Sequence, residues 1–430
     1  MTERPVQVLL LHGVNVWNTG DLGLLHTTVR RLREEFGPAV DLTTEDVFSG
    51  TGPGVESELR DLGITSSPPL VPLRKERGWS RLRWIGHVVT VFVAIVLVRA
   101  SGMRFLASFP QSVRDPIRSL MDADLVISKP GGHLYSAPGR WIGSPSYLFT
   151  IWSASMLGRP TILYAQSVGP FASPLAVLAA RVALRRVRMV TAREPLTYRW
   201  ARQMLPASVR VELTADEAFL LEPAALALAP ALALAPAHGG RSMLGITAIE
   251  WHYPGHPHPR AAAARYESAL ADVSRWYIDE CGGRVVLLRW LTGGHREDDA
   301  AVIDRIVDLV DRPGQTSVAG PFRPDEASGF IGGLELLVAS RLHSAIFGMV
   351  AGTPAVAIEY LPKTREIMAM VLGPGWTVPI GEVGAGRLLE LVQRLRDQQG
   401  AIRADMARSV QQLAVTAARN ARIARETAQE

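Results

Sequence analysis

The chain has 430 residues, 47% hydrophobic and 20% charged, with 46 Lys and Arg against 41 Asp and Glu for a formal net charge of +5. That length accommodates two domains with cores of their own, and the lone cysteine, Cys281, excludes an internal disulfide framework and a Cys-based zinc site. The cations are scattered over helices with no aromatic-rich basic groove, which argues against nucleic acid; without a recognisable secretory leader, the expectation is a cytoplasmic protein.

The first predicted strand, "VQVLLL", leads into a loop holding Asn18, Gly20 and Asp21, then an amphipathic helix to Leu32. An acid at such a turn would repel the anion that a phosphate cradle attracts. Asp21 therefore either caps its helix or serves another ligand. Further on, "WIGHVVTVFVAIVLV", Trp84 to Val98, is apolar for fifteen residues and flanked by arginines. It is shorter than the roughly 20 residues of a spanning helix, leaving three readings: a buried core helix, a segment lying on an anionic membrane surface, or a true span.

The next strands are "DLVIS", "PTILYA" and "VRMVTA". After the first comes "KPGGHLYS", where Gly131 and Gly132 permit a tight turn or a close approach to a ligand and His133 follows. After the second comes "QSVGPF" with Gln166. After the third comes Arg193, placed for an ordinary salt bridge or for gripping a carboxylate or phosphate.

A Pro/Ala-rich, uncharged stretch, Pro223 to Gly240, reads as an interdomain linker. Four more apolar runs follow, "MLGITA", "RVVLLRW", "LELLVAS" and "PAVAIEY", and their alternation with helical patterns predicts parallel sheets covered by helices. The histidines of "WHYPGHPHP" lack paired carboxylates and read as a loop rather than a metal site. In "SRLHS" a buried strand delivers Arg341 and His343 to a helix N-terminus, with Lys363 beyond the next strand; positive charge and donors converge there as an anion requires. His343 is also suited to acid or base work near neutrality. The tail after about Val383 predicts one or two helices.

The architecture expected is thus α/β, with two doubly wound Rossmann-like domains facing across a cleft. Their bounds are 1–222 and 241–383, joined by the 223–240 linker and followed by C-terminal helices over 384–430.

In order and content these loops resemble the polysaccharide pyruvyl transferase family: "NTGD", "PGGHLYS", "QSVGPF", "TAREPLT", "TADEAFLL" and "SRLHSAIFGMVAGTPAVAIEYLPK". The resemblance implies a GT-B-like fold and transfer of a pyruvyl group from phosphoenolpyruvate to a sugar as a cyclic ketal. The acceptor would be a cell-envelope polysaccharide or its lipid-linked precursor. It implies a donor site at Arg341 and His343, aided by Arg193 and Lys363, with no cofactor or metal. Asp21 would serve the acceptor from the N-terminal domain, and Asn18, Gly131, Gly132, His133 and Gln166 complete the substrate-binding set. Pro130, where a third glycine is common, the long linker and the apolar insert depart from the pattern. Two rival readings share the fold: a GT-B glycosyltransferase using a nucleotide sugar, and a non-catalytic member of a polysaccharide assembly pathway.

Overall fold

The computed structural model describes residues 4–13, 15–37, 40–46, 53–72, 80–136, 144–224, 242–292 and 298–430. Its chain divides into two units. The first comprises Met1–Val16, Leu24–Glu217 and Thr416–Glu430, the second Trp17–Gly23 and Ala218–Val415. Each is a parallel sheet flanked by helices, as the alternation of apolar runs and helical patterns required.

The sheet of the first unit contains β1 (Val6–Leu11), β2 (Val40–Glu45), β3 (Thr65–Ser67), β4 (Leu125–Ser128), β5 (Gly131–Leu134), β6 (Thr161–Val168), β7 (Met189–Ala192) and β8 (Arg210–Leu213). Their spatial order is β3-β2-β1-β4-β6-β7-β8, and β5 also lies along β6. The winding reverses between β1 and β4, where Leu11 stands opposite Ser128. Such a reversal opens a crevice at the carboxyl ends of the strands.

One core on this sheet collects Leu9, Leu11, Val126, Leu163 and Val190 with residues of five helices. These are α3 (Arg81–Ser101), α4 (Gln111–Asp122), α5 (Ser144–Met156), α6 (Pro174–Leu184) and α7 (Pro195–Met204); α1 (Thr19–Phe36) and α2 (Pro53–Asp61) precede them. Helix α3 is the apolar insert of the sequence, extended at both ends. Ser80 caps it by accepting from the Arg83 amide at 3.2 Å, and Gly102, at φ 71°, ends it. Val91, Ala94, Ile95 and Val98 pack into the core, each large side chain there contributing about 1.5 to 3 kcal/mol. On one face, then, the insert is a core helix.

The second unit has β9 (Met243–Thr247), β10 (Arg284–Leu288), β11 (Thr316–Ala319), β12 (Leu336–Ala339), β13 (Ala355–Glu359) and β14 (Thr377–Pro379), in spatial order β11-β10-β9-β12-β13-β14. Here the reversal falls between β9 and β12, with Thr247 opposite Ala339. Its helices are α8 (Pro259–Asp279), α9 (Ala300–Val310), α10 (Pro324–Gly332), α11 (Leu342–Val350), α12 (Pro362–Leu372) and α13 (Ala385–Gln429).

Two boundaries differ from the sequence-based expectation. The tail is one 45-residue helix, α13, whose residues from Thr416 belong to the first unit. There the Asn420 amide donates to Ala215 O at 3.1 Å and to Glu217 Oε2 at 3.0 Å. Residues Trp17–Gly23, expected in the N-terminal domain, belong to the second unit. Of the predicted 223–240 linker only Pro223 and Ala224 fall within the described residues.

Candidate functional site

In the second unit, β12 ends in Ser340 and Arg341, and α11 begins at once with Leu342 and His343. The turn is tightly braced. The Tyr266 hydroxyl donates to Ser340 Oγ at 2.8 Å, Ser344 Oγ donates to Arg341 O at 2.7 Å, and Thr247 and Ser344 hydroxyls meet at 2.7 Å. Arg341 is 7% exposed and its guanidinium pairs with the buried Asp299 carboxylate. Burial raises the Asp299 carboxyl above its ordinary range, against the pull of Arg341. Asp299 Oδ2 also accepts from the Trp290 and Leu291 amides at 3.1 and 2.8 Å.

Those two residues explain why Trp17–Gly23 belongs here. Asn18 and Leu291 form an antiparallel bridge, the Thr19 amide donates to Trp290 O at 3.1 Å, and the Thr292 amide donates to Trp17 O at 3.0 Å. Asn18 caps α1, its Oδ1 accepting from the Gly20 and Asp21 amides at 3.0 and 3.3 Å. The stitching presses Gly20 against His343: a Cβ at Gly20 would lie 2.5 Å from His343 Nδ1 and 2.6 Å from its Cβ. Only a glycine allows that approach. Asp21 follows it, half-buried, so the expectation that it acts from the N-terminal domain is corrected: it shares a unit with His343. Among the described residues its carboxylate makes no hydrogen bond or ion pair. Lys363 lies in the first turn of α12, beyond β13.

A second polar cluster occupies the strand reversal of the first unit. His12 and Gly13 both take positive φ, 76° and 67°, turning the chain after β1, a conformation that strains a non-glycine residue. The turn buries His12. Its backbone N–H donates to Glu45 Oε2 at 2.9 Å, and its Nε2 lies 3.3 Å from Tyr147 O. Burial and the nearby Lys129 charge depress the His12 imidazolium to a pKa of about 3. Neutral, and donating from Nε2 to the carbonyl, His12 turns the Nδ1 lone pair toward His133 Nε2, 2.9 Å away. His133 Nδ1 in turn lies 3.5 Å from Gln166 Nε2, which also donates to Gly131 O at 2.9 Å. Ser128 Oγ donates to Gln166 Oε1 at 2.8 Å. The tautomers so assigned from the network form a one-way donor chain.

Sequence signals placed Gly131, Gly132 and His133 in one strand-end loop and Gln166 in another, as members of a substrate-binding set. Residues Gly131–Leu134 instead form β5, and Gly131, at φ 136°, needs its missing side chain. Ala165, at φ 43°, sits at an irregularity in the β6–β7 register, the kind of bulge that re-aims a neighbouring side chain; its neighbour Gln166 joins the cluster. His12, Ser128 and Tyr147 were missed.

Arg193, expected among the anion ligands, is instead wholly buried in the first unit. It pairs with the equally buried Asp216, and its Nε donates to Ser167 Oγ at 2.7 Å. The guanidinium braces the ends of β6 and β7. Residues His252 to His258 form a loop after β9, with the His258 amide donating to His256 Nδ1 at 3.0 Å. Among the described residues no group of three or more His, Cys, Asp or Glu is placed to hold a metal ion.

Two parallel doubly wound sheets, each with polar groups at its strand reversal, define a GT-B-like protein. Solved structures of that class share the fold at 10 to 12% identity: S. aureus MnaA with UDP (TM-score 0.59, covering 94% of this chain and 91% of that one) and Anabaena Alr3699/HepE with UDP and glucose (0.57, 99% and 100%). The polysaccharide pyruvyl transferase model matches residues 18–362, and the chain belongs to that family. It is also 26% identical over 327 residues to the amylovoran biosynthesis protein AmsJ of Erwinia amylovora, covering 73% of this chain and 75% of that protein.

Proposed function

We propose that the protein moves a pyruvyl group from phosphoenolpyruvate onto two hydroxyls of one sugar, in a cell-envelope polysaccharide or its lipid-linked precursor, with release of phosphate. What supports this reading beyond the family is the end of β12. His343 and the first amides of α11 stand at the strand reversal of the second unit, with Arg341 braced behind them by Asp299, and a donor carrying both a carboxylate and a phosphate needs such hydrogen-bond donors and positive charge.

The groups assigned here would carry the transfer in balanced steps. A proton passes to the methylene carbon, making it methyl and leaving cationic character on the adjacent carbon. A sugar hydroxyl attacks that carbon and loses its proton. The C–O bond to phosphate breaks, and a second hydroxyl closes the ketal with loss of another proton. His343 is assigned the first proton, Asp21 the proton of the attacking hydroxyl, and Lys363 and the α11 amides the anionic groups. Arg341 stands behind them, held by Asp299. A positioned acid and base each contribute roughly 10²- to 10⁴-fold.

The test is calorimetric titration of the full chain with phosphoenolpyruvate and separately with UDP-glucose. Phosphate release and a new ketal methyl signal in proton NMR are then followed across a panel of pyranosides. Binding of phosphoenolpyruvate that is weakened in His343→Gln is expected. Binding of UDP-glucose alone would replace the proposal with glycosyl transfer, and binding of neither would leave an assembly protein.

A further inference from the structure

Helix α3 has two apolar faces, and only one is used by the core. Opposite Val91, Ala94, Ile95 and Val98 it exposes Leu82 (82%), Ile85, Val89 (55%), Phe92, Val93, Val96 and Leu97, and the following turn adds Phe105 (53%). Exposed large apolar side chains are ordinary when scattered; a row of them along one helix is not. The row continues sideways. Phe92 stacks on Trp152 of α5 with ring centroids 5.6 Å apart, and α6, which shares the same core, exposes Leu175 (64%), Leu178 (54%) and Val182. Helices α3, α5 and α6 pack into the same core of the first unit, and α5, which touches both of the others, has no fully exposed residue among those described.

The charges on α3 and α6 have one sign. Arg81, Arg83, Arg99 and Arg104 edge α3, and Arg181, Arg185, Arg186 and Arg188 edge α6, all exposed. No aspartate or glutamate occurs from Arg77 to Arg114 or from Leu125 to Arg193. A surface meeting an acidic protein or a second copy of this chain would not need so complete an exclusion of carboxylates over so apolar a centre. Anionic phospholipid fits both properties, with headgroup phosphates for the arginines and acyl chains for the side chains between them.

We propose that the exposed faces of α3 and α6 rest on an anionic bilayer, as a peripheral contact that buries Leu82, Val89, Val96, Phe105, Leu175 and Leu178 at the headgroup boundary. Helix α3 is also long and apolar enough to cross a membrane by length and composition. Its Val91–Val98 face, however, is occupied by the core of its own unit, so the contact is parallel to the surface. The inference stands on this face alone and is independent of the transfer chemistry.

Flotation of the full chain with phosphatidylcholine vesicles, with and without phosphatidylglycerol, tests it. Protein should rise only with the anionic vesicles, and high salt should release it. Each reversed arginine should weaken partition by at least about fivefold, the effect of losing one positive charge. Val89→Ser/Val96→Ser/Phe105→Ser and Arg83→Glu/Arg185→Glu/Arg186→Glu alter only exposed positions, so both should keep the wild-type melting temperature while losing flotation. Failure to float, equal binding to both vesicle types, or retention through high salt and alkaline carbonate would overturn the proposal. So would a solution dimer that dissociates in the serine variant, which would assign the face to a second copy.

Discussion

The closeness of Gly20 to His343 gives the sharpest handle on the site. A methyl group at residue 20 would sit 2.5, 2.6 and 2.8 Å from His343 Nδ1, Cβ and Cγ, where ordinary contact begins near 3.4 Å. The shortfall is about 0.9 Å, and because it includes Cβ, a ring rotation does not relieve it. Either the first turn of α11 moves or the loop stitched to Leu291 does. Overpacking of this kind costs roughly 1 to 3 kcal/mol, while alanine in place of glycine in α1 returns up to about 1 kcal/mol. The net loss of stability for Gly20→Ala is therefore about 0 to 3 kcal/mol. The displacement matters more, since misplacing a reacting group by about 1 Å can lower turnover on the order of 100-fold. Gly23→Ala is the matched control on the same helix, because its methyl would meet the far end of the Phe347 ring at 2.6 Å. Phosphate release and melting curves on both variants decide the matter. Wild-type turnover in Gly20→Ala, or equal losses in the two variants, would refute the placement of His343 at the reacting centre.

Other consequences are as direct. Burial pushes the Glu217 carboxyl up from 4.5 to about 7, so its contribution favours the fold most below pH 4.5 and is lost as pH rises through about 7. At about 1.4 kcal/mol per pH unit the fall is roughly 3 kcal/mol, and urea unfolding should show it flattened in Glu217→Gln. Arg193→Met should cost about 3 to 5 kcal/mol by leaving Asp216 buried without its partner, with phosphoenolpyruvate affinity of the folded fraction unchanged by calorimetry. Asp299→Ala should lower the melting temperature through the same penalty on Arg341 and also weaken phosphoenolpyruvate binding, because the braced turn loosens; unchanged affinity would separate the brace from the site.

The sequence announces the central strands and is nearly silent about the margins. The eight apolar runs became β1, β4, β6, β7, β9, β10, β12 and β13, strands covered on both faces and therefore apolar throughout. Strands such as "TSS", "RVEL" and "TVP" lie at sheet edges, where short polar stretches pair as readily and leave no periodic signal. Arg341 and His343 were legible because a buried strand and a helix start bracket them. Asp299 was not: it lies 42 residues from Arg341, within "REDDAA", which reads as a solvated acidic run. His12 likewise lies 121 residues from His133, and only the strand reversal brings them together. Arg193 was found but misassigned between its two readings, since nothing local distinguishes a buried brace from an exposed grip.

The chain's division into units follows the contacts rather than the linker. A cut near residue 230 would give an N-terminal piece without Asn420, Arg419 and Arg425, which bond to Glu217, Glu212 and Glu35. The matching C-terminal piece would lack the Trp17–Gly23 segment that packs on His343. Each fragment would carry away something belonging to the other. Chimeras between relatives should therefore transplant Trp17–Gly23 together with Ala218–Val415 and leave Thr416–Glu430 with the recipient; an exchange at the proline-rich seam alone would pair each sheet with a foreign brace.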